Sequence, residues 1–356
     1  MSDPTVAAQP PGAPSPTSVV DDRMADVSFV TKLLRRPELG AALAALVVFL
    51  FFTFTTDQFG TLDGAANWTD VASTLGIPAV AVALLMIGGE FDLSAGVMTG
   101  SAGLVMGLLA TELDMNIWFA IVLTFVFAAT IGFINGMMVV KTKLPSFIVT
   151  LATFFILQGA NLGVTKEITG SVRVGGLNEA SGYQSAFDIF GGSFSEYDFR
   201  ITVIWWVVIT ILGTWVLART RVGNWIFGVG GDATAARNVG VPVSRVKIAL
   251  FMTTSMAAAL VGIMIALRLS SVQASQGSGE EFTYIIAAVV GGCLLTGGYG
   301  SAIGAAIGAL IIGMAFIGIQ FSGWDTDWRF LFLGVILLLA VLVNNFVRRS
   351  AEGSRR

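Results

Sequence analysis

From about residue 39 onward the chain reads as long, continuous apolar runs parted by short polar breaks. Ten runs stand out, at approximately 39–56, 67–87, 94–110, 117–140, 144–163, 199–218, 247–268, 282–297, 301–321 and 329–347. A stretch of about 20 apolar residues is the length of a helix that crosses a bilayer. Strands in lipid alternate apolar and polar positions; these runs do not, so only helices fit. The pattern therefore predicts an all-α, polytopic membrane helical bundle of about ten transmembrane helices. The runs at 94–110 and 282–297 are short for a full crossing and are read as half-helices or re-entrant segments. Pro78 interrupts the second run, which frees a carbonyl and predicts a kink.

The breaks carry the chemistry. IGGEFDLSAG, Ile87 to Gly96, sets Glu90 and Asp92 between two oily runs. Acids in such a setting mark ion paths or gates, yet a carboxylate opening a helix also caps free N–H groups and favours the dipole. A second break, GVGGDATAARNVGVPVSRVK, Gly228 to Lys247, holds DATAARN, which reads as a short helix with Asp232 as N-cap and Gly240 as its C′ stop. A polar helix on the face of a membrane bundle suggests a soluble partner. A third segment, about 164–198, is rich in Gly and Ser with scattered charges; it is either a solvated loop or a docking surface. Glycines recur four apart in GSAIGAAIGALIIG and around Gly96 and Gly100, spacing that lets helix backbones approach closely. GGEFDLSAG and GGCLLTGGYGSAIG echo one another as Gly-rich breaks before Gly-rich runs, and repeated halves are common in transporters.

Charge then sets orientation. With the N-terminus inside, fifteen of the twenty basic residues fall on the inner side: Arg23, Lys32, Arg35, Arg36, Lys141, Lys143, Arg219, Arg221, Arg237, Arg245, Lys247, Arg348, Arg349, Arg355 and Arg356. Lys166, Arg173, Arg200, Arg268 and Arg329 fall outside. This asymmetry predicts an even number of spans with both termini cytoplasmic. IGGEFDLSAG then lies near the cytoplasmic ends of its two spans. Residues 1–30, with five of the nine prolines, are expected to be a disordered cytoplasmic tail. Residues 31–348 form the membrane domain, and 349–356 a short cytoplasmic tail.

Composition narrows the function classes. The 356 residues are 55% hydrophobic and 12% charged, with a mean hydropathy of +0.81; soluble domains carry about 25% charge. A net charge of −3 gives no reason to expect nucleic acid. There is no histidine and one cysteine, Cys293. The commonest general base is therefore missing, and neither an intramolecular disulfide nor a C-x-x-C metal motif can form. No G-x-x-x-x-G-K-S/T loop is present, so ATP hydrolysis is not expected of this chain. A membrane enzyme lacks any nucleophile–base signature, and no metal site is expected.

Four stretches resemble a known family. GGEFDLSAG is similar to a GG-x-D-L-S-x-G element through Gly88, Gly89, Asp92, Leu93, Ser94 and Gly96, either with one residue more between the glycines and the aspartate or with Gly89-Glu90 as the family's Gly-Glu variant. GFINGMMVVKTKLPSFIVTLAT matches an N-G element followed by P-x-F-I-V-T-L through Asn135, Gly136, Pro145, Phe147, Thr150 and Leu151. ARTRVGNWIFGVGGDATAARNVGVPVSRVK resembles the stretch that ends in the coupling helix, with Asp232 where asparagine is usual and Pro242 a departure. IIAAVVGGCLLTGGYGSAIGAAIGALIIG matches a run of paired glycines. The chain thus looks like the permease subunit of bacterial ABC importers for monosaccharides of the ribose, xylose and arabinose type, in the branched-chain amino acid and sugar permease superfamily.

The resemblance implies a second, usually identical permease subunit in the lipid membrane of a bacterial cell. It also implies a cytoplasmic ABC ATPase that binds ATP and magnesium, and an external sugar-binding protein. This chain itself is expected to bind no cofactor. The coupling helix, about 231–246, would present Asp232, Ala235, Ala236, Arg237, Gly240 and Arg245 to the ATPase. Candidates for the path or gate are Glu90, Asp92, Ser94, Asn135, Phe147, Thr150, Thr153 and Gln158; each polar one can instead satisfy a neighbouring helix. Two other readings remain open: an ion-coupled secondary transporter using Glu90 and Asp92, and a permease of the same superfamily for amino acids or nucleosides.

Overall fold

The computed structural model describes residues 37–353. The predicted tail 1–30 and residues 354–356 lie outside the described residues. The first helices are α1 (Pro37–Thr55), α2 (Leu62–Ile87), α3 (Ala95–Thr111), α4 (Ile117–Thr142) and α5 (Ser146–Thr169). A short strand β1 (Arg173–Gly175) and helix α6 (Tyr183–Phe190) follow, then α7 (Ile201–Arg219), α8 (Arg221–Gly231) and the six-residue α9 (Ala233–Asn238). The chain continues through α10 (Val243–Leu269), β2 (Ser271–Gln273), α11 (Glu280–Val290), α12 (Ala302–Phe321) and α13 (Trp328–Gly353). Seven of these helices are long and apolar enough to cross a membrane, and α3 and the apolar part of α13 are shorter. The protein is an all-α multi-pass bundle, as the run pattern predicts. Helix α2 runs unbroken through Pro78.

Among the seven long helices α2, α10 and α12 are the most buried, and the shorter α3 is buried along most of its length. Helix α12 packs on α2 and α1, α10 on α4 and α3, and α11 on both α12 and α2. Helices α1, α4, α5 and α7 expose large apolar side chains such as Phe51, Phe133, Ile156 and Trp215, a face suited to lipid or another helix rather than water. Strands β1 and β2 pair antiparallel, with Val174 opposite Val272, and cover one end of the bundle. Helix α9 and the breaks at 88–94 and 291–301 lie at the other. The basic residues predicted for the inner side that precede or flank α9 and begin α10 gather at the α9 end, because α4 and α10 pack antiparallel, with Gly136 against Ile248 and Gly132 against Met252.

The echo between the two glycine breaks is local structure. Helix α2 ends with Gly88, and Gly89 follows at φ 83°. The Gly89 N–H donates to the Met86 carbonyl and the Glu90 N–H to the Leu85 carbonyl. Helix α11 ends the same way: Gly291 is followed by Gly292 at φ 93°, with Gly292 N–H to Val289 and Cys293 N–H to Ala288. These are paired Schellman stops, which satisfy the last carbonyls of each helix and need a left-handed residue that glycine supplies without strain. The run predicted at 282–297 therefore stays helical only to Val290.

Gly89→Ala and Gly292→Ala are each expected to lower stability by about 1–2 kcal/mol, the penalty of a Cβ in left-handed backbone. Thermal unfolding of the purified variants checks this; unchanged melting at both positions would show that the stops relax freely.

Candidate functional site

The segment 88–94 leaves helical geometry while almost wholly buried, so its backbone donors need partners. Side chains of the neighbouring helices supply them. Phe91 N–H donates to Ser146 Oγ at 3.1 Å and Leu93 N–H to Thr150 Oγ1 at 3.0 Å, both on the first turns of α5. Ser94 N–H donates to Asp92 Oδ1 at 2.8 Å. Asp92 thus closes a two-residue turn. Ser94 occupies the N-cap position of α3 and makes no side-chain cap bond. The sequence suggested Asp92 as a cap for the helix itself. The carboxylate instead serves the turn one step earlier, because Leu93 and Ser94 are still outside the helix.

A chain of side-chain hydrogen bonds runs into Asp92. The Thr153 hydroxyl donates to Asn135 Oδ1 at 2.6 Å, Asn135 Nδ2 to Ser94 Oγ at 3.0 Å, and the Ser94 hydroxyl to Asp92 Oδ1 at 2.6 Å. Asp92, Ser94 and Asn135 are fully buried. Each donor points toward the carboxylate, so the chain stabilises negative charge there, as does the start of α3. Asp92 Oδ2 has no hydrogen-bond partner among the described residues. Asn135 is seven residues from the end of α4, about 10 Å along the helix. The polar cluster is thus set inside the bundle rather than at its rim. Glu90, also buried, forms an ion pair with Lys247 from the second turn of α10.

Six of the eight path or gate candidates thus converge: Glu90, Asp92, Ser94, Asn135, Thr150 and Thr153. Two do not. Phe147 is exposed on the first turn of α5. Gln158 lies two turns beyond Thr150 and donates to Ser278 Oγ at 3.3 Å, in the link before α11. Sequence reading missed Ser146 and Lys247 as partners of this segment. A buried acid without a neighbouring base was the available signal for a distant counter-charge, but it does not say which lysine supplies it.

Helix α9 hangs on the same region. Asp232, at φ −155°, accepts from the N–H groups of Thr234 and Ala235 at 2.8 and 2.9 Å and is a true N-cap. Ala236 is buried, whereas Asp232, Ala235, Arg237, Gly240 and Arg245 are exposed. Gly240 has φ 86° and lies just beyond the helix. The element is shorter than the predicted 231–246 span, since residues 239–242 form a turn and Val243 already begins α10. Val239 stands 80% exposed, unusual for an apolar side chain on a polar face. Just before α9, Gly230 is wedged against the end of α2, where a Cβ would overlap the Ile87 carbonyl. A Cβ on Gly297 would lie 2.8 Å from both Gly230 O and Gly89 Cα. Gly298 N–H donates to the Ile87 carbonyl at 2.8 Å. The segment that carries α9 and both glycine breaks therefore meet backbone to backbone.

Residues 64–341 match the family model described as branched-chain amino acid transport system / permease component. The chain belongs to this permease family. The chain is 30% identical to the ribose import permease of Escherichia coli over 86% of its own length and 94% of that protein. It is 29% identical to the fructose import permease of Rhizobium meliloti, covering 99% and 100% of the two chains. The xylose transport system permease of Escherichia coli is 30% identical, over 86% and 91%. No solved structure matches the chain. The match region takes in both glycine breaks, the Asp92 cluster and α9, so the permease domain includes every part of the site.

The ion pair gives a sharp test. Lys247→Met leaves Glu90 buried without a counter-charge and is expected to destabilise the permease by roughly 3 kcal/mol. The double variant Glu90→Gln, Lys247→Met should regain most of that loss, read by thermal or denaturant unfolding. An additive double variant would show that the pair contributes no coupling.

Proposed function

We propose that the chain forms the translocation pathway of an ABC importer for a monosaccharide or a similar small polar solute. Both termini lie in the cytoplasm, and a second permease subunit, identical to the first, completes the pore. An external binding protein delivers the solute, and a separate cytoplasmic ATPase binds ATP and magnesium and drives the cycle. The sugar-import names of relatives that span nearly the whole chain support the substrate class. The placement of basic residues at the α9 end supports the orientation.

The observation that carries the reading is the contact of Gly230 with Ile87 and of Gly297 with Gly89 and Gly230. A partner that docks on α9 pulls directly on the end of α2 and on the Gly297–Gly298 turn of the loop after α11 through packed backbone, with no side chain between to absorb the motion. Asp232, Ala235, Arg237, Gly240, Arg245 and the bare Val239 form the docking face, and buried Ala236 seats α9 on α8. The Asp92 cluster sits immediately behind the α2 break and serves as the inner gate. Opening it breaks hydrogen bonds among α3, α4 and α5, and ATP-driven motion supplies the energy. An ion-coupled mechanism has less support, because the relatives are import permeases and Glu90, one of its two acids, already pairs with Lys247.

Co-purification of the tagged chain from its native cell is expected to bring an ATPase with it, and Arg237→Glu to weaken that association at least severalfold. Gly230→Ala is expected to leave ATPase association intact while abolishing ATP-driven sugar uptake, provided the variant inserts normally. Asp92→Asn retains the acceptor for Ser94 and is expected to keep a substantial part of uptake. Uptake in vesicles that continues without ATP and collapses with an uncoupler would overturn the reading in favour of ion coupling.

A further inference from the structure

The bundle holds a second polar site, far from α9, that the gate does not use. A cavity of about 250 Å³ opens between α2, α3, α10, α11, α12 and α13 toward the end covered by β1 and β2. Its size is just below the roughly 300–1,000 Å³ of sites for drug-sized ligands, which leaves room for one small molecule. Two acids and two arginines line it: Asp70, Glu280, Arg268 and Arg329.

These four charges are not used alike. Arg268 donates to both carboxylate oxygens of Asp70 at 2.7 Å, a closed pair that forms one wall. Glu280 and Arg329 face the same space and attract one another across it, with no salt bridge between them among the described residues. Glu280 Oε2 is buried with no hydrogen-bond partner among the described residues. Arg329 stacks over Phe330 and Phe316, with its guanidinium carbon 4.9 and 6.0 Å from the ring centres, and makes no ion pair among the described residues. An orphaned carboxylate oxygen in such a place calls for a donor, and an open guanidinium for an acceptor. A hydroxyl group is both. Formal charge on the lining sums to zero, which disfavours a charged ligand. Phe316 and buried Tyr284 offer apolar faces to the C–H side of a ring.

A wider, open recess of about 500 Å³ lies by the β1–β2 ribbon, lined by Arg173, Ser271, Gln273 and Ser275, and Gln276 lines both spaces. The cavity floor is Thr99, whose hydroxyl is 3.4 Å from that of Tyr284. Thr99 is five residues, about 7 Å, beyond Ser94 on α3. The first turns of α3 therefore separate this cavity from the Asp92 cluster.

We propose that the cavity binds a single uncharged, polyhydroxylated solute within one chain, between Glu280 and Arg329, before the solute reaches the inner gate. The proposal deepens the transport reading and rests on it for the solute's identity. Thr74→Cys places a thiol in the lining, while native Cys293 is buried and should stay unreactive toward a charged reagent. The full chain in nanodiscs is labelled with a charged methanethiosulfonate, in the presence of D-ribose, D-xylose or D-fructose, or of glycine betaine as a solute without hydroxyls. At about ten times its Kd, a bound sugar should slow labelling about tenfold by mass action, and betaine should not. Adding Glu280→Ala, or Arg329→Met should the first variant fail to fold, should keep the labelling and lose the protection. No protection by any of the three sugars, equal protection by betaine, or protection that survives both variants would overturn the site. Reconstituted ATP-driven uptake separates the two claims. Uptake without protection removes this site and leaves the transporter; protection without uptake of any sugar removes the transport reading and leaves the site.

Discussion

A helix that breaks inside an apolar bundle exposes backbone groups that water cannot reach, and the structure around the break has to satisfy them. The arrangement at the α9 end follows from that requirement at residues 88–94. Three successive needs are met by three side-chain oxygens, from Ser146, Thr150 and Asp92. The Ile87 carbonyl takes the Gly298 N–H. The polar residues that look like a path in a list of hydrophilic positions are, in space, the hydrogen-bonding shell of one broken segment. That shell joins α3, α4 and α5, so the break cannot move without changing how those helices hold one another.

The second constraint is steric. Gly230, Gly297 and Gly89 let three chain segments touch where any side chain would separate them. In a membrane the gain from such contact is dispersion and hydrogen bonding rather than the expulsion of water, so closeness itself is the stabilising feature. Rigid backbone contact also transmits displacement with little loss, since packed interiors deform poorly. In the proposed transport cycle, the docking face on α9 and the gate behind the end of α2 are parts of one mechanical unit. Glycine is needed there for contact, and at Gly89 and Gly292 for backbone conformation, two different reasons for the same residue type.

The helices were legible in the sequence because apolar run length is a local property: the run at 117–140 became α4 at Ile117–Thr142, and that at 301–321 became α12 at Ala302–Phe321. Asp232 as an N-cap and Gly240 as a stop were legible for the same reason, since capping depends on the next three or four residues. The end of α11 at Val290 was less so, because apolarity continues through Cys293, Leu294 and Leu295 while the paired glycines end the helix. Asp92 was read as a helix cap, and its actual role in the two-residue turn just before the helix depends on where α3 starts, a boundary that the surrounding packing fixes. Gln158 and Phe147 shared the polar or aromatic character of the candidates, but helix phase turned one toward Ser278 and the other outward.

The sequence by itself determined that this chain is a membrane-spanning α-helical bundle, where most of its long helices fall, and which short segment carries a capped polar helix, because those properties depend on runs and neighbours; its likeness to permeases rested on four motifs instead. Only the tertiary structure decided that Glu90 pairs with Lys247, 157 positions away, that Ser146 and Thr150 serve the 88–94 break, and that Gly230 meets both the end of α2 and the Gly297–Gly298 turn. It also brought Asp70, Arg268, Glu280 and Arg329 from four helices around one cavity. The physical reason is that charge pairing, backbone satisfaction and close contact act across space between elements distant in the chain, and no local pattern records which distant partner each group will meet.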